Sequence, residues 1–263
     1  MTQMNPLREN RAKHKLQGRE IVTCIGGGSL MTSEIIDYIG QFGFDAAWIE
    51  TEHGPFDFAD IPDMTRACDL WGMTSVVRVN SNDYGTIYRT FDVGAQGVCV
   101  PHVNTAEEAQ AAVEAAKYHP LGKRGMYSTR QAYGRTDYVA QANDETMLTV
   151  LIEDIVAVEN LSEILKVDHI DVFHVAPSDL AQSMGYPEPP IPPNVREVER
   201  NAIAQIVASG RVAGATVGGG ISVEEYTKMG VRFIFAQWTR WLESGAKSYL
   251  DTVKSAADKM ARV

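Results

Sequence analysis

Apolar residues along this chain gather in short runs, and between the runs they recur every three or four positions. The runs are Ile21–Ile25, Ala46–Ile49, Ser75–Val79, Gly97–Val100, Leu148–Ile152, Asp171–Val175, Val212–Val217 and Arg232–Ala236. Most are rich in Val, Ile or Phe, the pattern of parallel strands covered on both faces. Amphipathic stretches predict helices over Asp60–Trp71, Asp83–Val93, Thr105–Tyr118, Val156–Leu165, Val195–Ser209 and Val223–Met229. Thr105-Ala-Glu-Glu and Ser222-Val-Glu-Glu carry the capping-box pattern that opens a helix. Tyr186–Asn194 is Pro-rich and reads as an irregular loop. Trp238–Val263 reads as a last helix, with Trp238 and Trp241 marking either a subunit contact or packing against the body of the protein.

Eight strands alternating with helices fit a closed parallel barrel or a doubly wound sheet. The 263 residues are enough for one such unit. No internal repeat or low-complexity tract divides them, so residues 1–263 read as one domain. A chain this long buries a core without disulfides or a structural metal.

Composition narrows the function. A net charge of −10 argues against nucleic acid as a partner, because phosphate contacts need clustered Lys and Arg. Cys24, Cys68 and Cys99 form no CxxC pair and read as buried thiols in a reducing compartment. Met1–Glu20 is polar and lacks the apolar segment of a secretory signal, and no run reaches the length of a membrane span. These features predict a cytoplasmic protein.

Polar residues fall where the predicted strands end. Glu50, Glu52 and His53 follow the second strand, Arg78 ends the third and His102 follows the fourth. Glu153 ends the fifth and Asp179 lies just past the sixth. Barrel enzymes place their chemistry at those ends, and aiming many ionisable groups at one rim costs stability unless they work together. Glu153 and Asp179 supply the oxygen ligands that Mg²⁺ or Mn²⁺ prefers, or else act as a helix cap and an ion-pair partner. Arg78 reads as a fork for a carboxylate or enolate, or as a structural ion pair. His53 has the intrinsic pKa of a general base. Ala176-Pro177-Ser178-Asp179 opens a helix whose free N–H groups suit a carboxylate. Gly26–Gly28 and Gly218–Gly220 lack the spacing of a nucleotide-binding loop.

Taken in order, Ile49-Glu50-Thr51-Glu52-His53-Gly54-Pro55, Val77-Arg78-Val79-Asn80, Val93-Gly94-Ala95-Gln96-Gly97 with Val100-Pro101, Arg124-Gly125-Met126, Ile152-Glu153 and Ala176-Pro177-Ser178-Asp179-Leu180 resemble the HpcH/HpaI class II pyruvate aldolases. The match runs from about Glu20 to Gly230. The resemblance implies a (β/α)₈ TIM barrel with a C-terminal helical extension that packs on a neighbouring subunit in a hexamer, a trimer of dimers. It implies a divalent metal on Glu153 and Asp179, Mg²⁺ or Mn²⁺ with Co²⁺ or Zn²⁺ as alternatives. A 2-keto acid such as pyruvate would bind that metal, with Ala176 and Ser178 beside it. Arg78 would face the keto or enolate oxygen, and His53, oriented by Asp92, would act as base through water.

The implied reaction is cleavage or formation of 4-hydroxy-2-keto acids to pyruvate and an aldehyde through a metal-stabilised enolate. No Schiff-base lysine is expected. Cys24, Leu151, Ala176, Thr216 and Gly218–Gly220 depart from the family pattern and bear on the acceptor pocket and the keto acid. Two other outcomes use the same residues: oxaloacetate decarboxylation or condensation by a related lyase, and non-catalytic binding of a 2-keto acid. Retention of His53 and Asp92 favours catalysis, because binding alone needs no base.

Overall fold

Eight parallel strands close on themselves in chain order. They are β1 (Val22–Gly26), β2 (Ala46–Glu50), β3 (Thr74–Arg78), β4 (Gly97–Val100), β5 (Met147–Ile152), β6 (Val172–Val175), β7 (Ala213–Thr216) and β8 (Phe233–Gln237), and β8 pairs with β1. The computed structural model describes residues 8–127, 129–218 and 220–261. Gly219, in the run noted above, lies outside the described residues, as do Met1–Leu7 of the N-terminal stretch and Arg262 and Val263 of the last predicted helix.

The strand expectations hold to within a residue or two at each end, and the barrel is confirmed over the doubly wound sheet. Helices precede, separate and follow the strands: α1 (Arg11–Gln17), α2 (Ser33–Gly40), α3 (Ile61–Leu70), α4 (Tyr84–Asp92), α5 (Ala106–Ala116), α6 (Tyr138–Glu145), α7 (Ile155–Glu159), α8 (Leu161–Ile164), α9 (Pro177–Ser183), α10 (Pro193–Ala208), α11 (Val223–Lys228) and α12 (Trp238–Met260). Both capping boxes form, at Thr105 with Glu108 and at Ser222 with Glu225.

Four differences have local causes. The helix expected over Val156–Leu165 is two, α7 and α8, broken at Asn160, whose side-chain amide donates to the Asn104 carbonyl at 2.9 Å instead of riding a continuous helix. The helices α1, α2 and α6 were not anticipated. Each is short, and α1 lies in the polar N-terminal stretch, where Asn10 caps it by accepting from the Lys13 N–H at 3.1 Å.

Inward-facing side chains alternate along each strand and fill the barrel. The interior contains Cys24, Ala46, Trp48, Val76, Cys99, Leu151, Val172, Phe233 and Phe235, and Ala12 and Leu16 of α1 pack onto it from the amino-terminal end. A larger cluster joins the outer faces of β4 to β7 to the surrounding helices. The three cysteines are free and buried. Among the described residues no helix is long and apolar enough to cross a membrane. None of the residues of α12 is buried. Trp238 is half-buried against the barrel, and Trp241 stacks on Phe44 at 6.1 Å while staying 54% exposed.

Candidate active site

The carboxyl-terminal ends of the strands surround a cleft of about 210 Å³, lined by Trp48, Glu50, Arg78, Leu151, His174, Ala176, Ser178, Asp179, Thr216, Phe235, Gln237 and Arg240 among others. Strand register builds it. Glu50 of β2 lies opposite Arg78 of β3, and Leu151 of β5 opposite His174 of β6.

Arg78 is fixed from two sides. Its Nε donates to Glu50 Oε2 at 2.7 Å, Nη2 lies 2.6 Å from the same oxygen, and Nη1 lies 2.8 Å from Glu52 Oε2. Burial works against its charge, but Glu50 and Glu52 outweigh burial and hold the guanidinium firmly protonated. Glu50 is also the keystone of the turn after β2. Its Oε1 accepts from the Glu52 N–H at 2.8 Å and the His53 N–H at 3.1 Å. That turn leaves His53 64% exposed, with Nε2 3.6 Å from Glu52.

Glu153 follows β5 and its side chain is 1% exposed. One carboxylate oxygen accepts from the His102 N–H at 2.8 Å. His102 holds a left-handed backbone, φ 51°, which aims that N–H inward. Burial, reinforced by the nearby charge of Asp179, pushes the Glu153 pKa up to about 7 despite this hydrogen bond. Asp179 sits in the first turn of α9 and lines the cleft. The two expected metal ligands therefore stand at one rim, close enough for each charge to oppose the other. Ala176 and Ser178 flank Pro177 on the same wall.

His102 was placed at the rim by the sequence but given no role. Its ring lies 2.9 Å from Asp154 Oδ2 and 3.7 Å from Glu52 Oε1. Burial opposes its charge, yet Asp154, Glu153 and Glu52 together raise its pKa. Sequence reading missed His174 because it sits inside an apolar run, where an imidazole carries no local signal. It is buried in the cleft floor between Trp48, Phe233 and Phe235. Burial, then the charge of Arg78, push its pKa down to about 3, so the ring is neutral.

Asp92 lies elsewhere. It ends α4, four residues before Gln96, whose N–H bonds the Ser75 carbonyl at the start of β3. That is the amino-terminal rim, and there Asp92 pairs with Arg124 at 2.9 Å. Within one chain the expected dyad of His53 and Asp92 is not brought together, because α4 runs antiparallel to the strands and carries its last residue to the far end. Cys24 lies within β1, packed in the barrel interior beneath the cleft. Trp48 is the indole that faces the cleft.

The acids Glu50, Glu52, Glu153, Asp154 and Asp179 outnumber the fixed cations Arg78 and Arg240 around this cleft. A rim with uncompensated carboxylates binds cations, and a placed arginine binds an anionic oxygen. Closed barrel, strand-end cleft and mixed charge define the class, a (β/α)₈ barrel with a polar cleft at the rim where barrel enzymes carry their chemistry.

The family follows from comparison. The model described as HpcH/HpaI aldolase/citrate lyase matches residues 29–235, and the chain belongs to that family. It is similar to the 2-keto-3-deoxy-L-rhamnonate aldolase of Salmonella gallinarum, 38% identical over 216 residues, 80% of each chain. Among solved structures, an HpcH/HpaI aldolase/citrate lyase family protein from Burkholderia cenocepacia superposes with a TM-score of 0.86 at 26% identity, over 93% of this chain and 99% of that one. The citrate synthase SbnG superposes with a TM-score of 0.84 at 25% identity, over 95% of this chain and 100% of that one. The protein is a carbon–carbon lyase of the aldolase type.

Proposed function

We propose that the protein cleaves a 4-hydroxy-2-keto acid to pyruvate and an aldehyde with the help of a divalent ion held by Glu153 and Asp179. The observation that carries this reading is the buried Glu153 carboxyl, pushed up to about 7 by burial and by Asp179 beside it, with the His102 ring 3.5 Å away offsetting them only in part. A divalent cation is the group that removes this conflict. Among the described residues no three His, Cys, Asp or Glu side chains gather as a metal site, so these two carboxylates would share the ion with substrate oxygens and water. An all-oxygen set favours Mg²⁺ or Mn²⁺ over Co²⁺ or Zn²⁺. When bound, the ion supplies positive charge beside the keto oxygen, where negative charge gathers as the bond breaks.

The chain's own residues then have defined tasks. A guanidinium has five N–H donors; Arg78 gives its Nε–H to Glu50 and pairs its Nη nitrogens with Glu50 and Glu52, and its remaining N–H groups suit the keto oxygen of the bound acid. Because its carboxylate partners fix it before substrate arrives, little reorganisation is needed. Ala176 and Ser178 border the carboxylate. His53, beside Glu52, takes the proton of the 4-hydroxyl through water. The C4–O bond becomes a carbonyl, the C3–C4 bond breaks, its electron pair moves toward the keto oxygen, and C3 is then reprotonated. Asp92 belongs to this scheme only if another copy of the chain brings it to His53. Exposed Leu242, Tyr249, Leu250 and Val253 support α12 packing on a neighbouring subunit, and the assembly proposed is a hexamer in the cytoplasm.

The relative named for 2-keto-3-deoxy-L-rhamnonate points to a deoxy sugar acid as substrate. Pyruvate release from that acid should exceed release from oxaloacetate, cease in EDTA and return with Mg²⁺ or Mn²⁺. Full turnover after exhaustive chelation would overturn the metal. Faster release from oxaloacetate would favour the decarboxylating or condensing alternative, which the likeness to SbnG keeps in view.

A further inference from the structure

The cleft has a polar floor on its β6–β7 side that the chemistry above does not use. His174 Nε2 lies 2.9 Å from Thr216 Oγ1. The other ring nitrogen, Nδ1, is buried and has no hydrogen-bond partner among the described residues. It lies against Gly214, the residue opposite His174 in the ladder: a Cβ at Gly214 would stand 2.6 Å from it. The glycine is what makes room for the imidazole.

A neutral imidazole has one N–H and one lone pair. A buried N–H without an acceptor is rarer and costlier than a buried lone pair without a donor. The proton therefore belongs on Nε2, where it donates to Thr216 Oγ1, leaving Nδ1 bare against Gly214. The Thr216 hydroxyl then has its own hydrogen free. Thr216 lines the cleft, and the hydrogen bond from His174 fixes where its oxygen sits.

We propose that Thr216, oriented by His174, is a specificity residue that donates a hydrogen bond to a hydroxyl oxygen of the aldehyde portion of the substrate. This rests on the aldolase reading above and names the class of acceptor within it, an aldehyde hydroxylated beside its carbonyl. Trp48 and Phe235 border the same floor and accept the carbon skeleton. Arg78, Glu153 and Asp179 are assigned above to the keto acid, which leaves Thr216 for the other half of the substrate.

The test uses the full-length enzyme with Mg²⁺, pyruvate and either 2-hydroxypropanal or propanal, which differ by the one hydroxyl. The wild type should prefer the hydroxylated aldehyde. Thr216→Val keeps the shape and removes the donor. It should cut kcat/KM for 2-hydroxypropanal by about tenfold, the size of one neutral hydrogen bond, and leave propanal within about twofold. Thr216→Ser should restore the preference, and His174→Phe should weaken it by freeing the hydroxyl to rotate. Equal losses on both aldehydes with Thr216→Val, or an unchanged ratio, would overturn the inference while the aldolase reading stands. A wild type that joins neither aldehyde to pyruvate would overturn the aldolase reading and the inference with it.

Discussion

Both ends of this barrel bury charged and polar side chains, but they do so in opposite ways. At the amino-terminal rim the buried arginines pair with carboxylates, Arg124 with Asp92 and Arg130 with Asp69. Asn10 accepts from the Lys13 N–H and the Thr74 hydroxyl and donates to the carbonyls of Gln96 and Glu145. The Lys13 ammonium donates to the Thr146 carbonyl at 2.8 Å and lies 3.2 Å from Asp171 Oδ1. Arg130 holds Asp69 at 2.6 Å and Thr65 at 2.7 Å. At the carboxyl-terminal rim, carboxylates exceed cations, and Glu153 and Asp179 repel each other. Burial of charge is therefore no sign of function by itself. Like charges buried together at the rim of a cleft are the stronger sign, because a bound ligand can relieve the cost they add to the folded chain.

The sharpest break of this comparison is Glu153→Gln. It should lower kcat/KM about 10³-fold or more, the scale lost when charge stabilisation at the reacting oxygen fails. Its melting temperature without metal should hold or rise, since a like-charge repulsion is gone. A variant that is both inactive and unfolded would make Glu153 structural and erase the contrast. Next in size is Arg130→Met at the other rim. Removing one partner of a buried ion pair should cost about 3 kcal/mol in urea unfolding, with kcat of the folded enzyme unchanged. A kcat defect there would mean that the two rims are coupled.

Arg78→Lys should lower kcat/KM about 10²-fold, because a lysine cannot span Glu50 and Glu52 and still reach substrate. Activity within a fewfold of wild type would reduce Arg78 to a structural ion pair. The smallest effect is one of pH. Burial is the main cause that lowers the Lys117 pKa to about 7, with Lys13 adding to it against Asp171. Between about pH 7 and the ordinary lysine range the unfolded chain keeps a proton that the folded chain has shed. Stability relative to Lys117→Met should therefore rise with pH across that window, by up to about 1.4 kcal/mol per pH unit, and be flat below it. Urea midpoints at pH 6.5, 8 and 9.5 read this directly, and a difference independent of pH would show that the lysine stays charged.

The eight apolar runs, their spacing and the two capping boxes were legible in the chain, because strand burial and helix capping are local patterns. So was the crowding of Glu50, Glu52, Arg78, Glu153 and Asp179 at strand ends. The order of the residues alone thus determined eight parallel strands with an acidic rim and an arginine set in it, and left a closed barrel or a doubly wound sheet open. What only the tertiary structure decided is which of these groups face one another. Closing the barrel turned Glu50 and Glu52 onto Arg78, set Asp179 against Glu153, sent Asp92 to Arg124 at the opposite end, and put His174 over Gly214 within reach of Thr216. These are contacts between strands and loops remote in the chain. Register and barrel closure fix them, and neither is written in any local stretch of sequence.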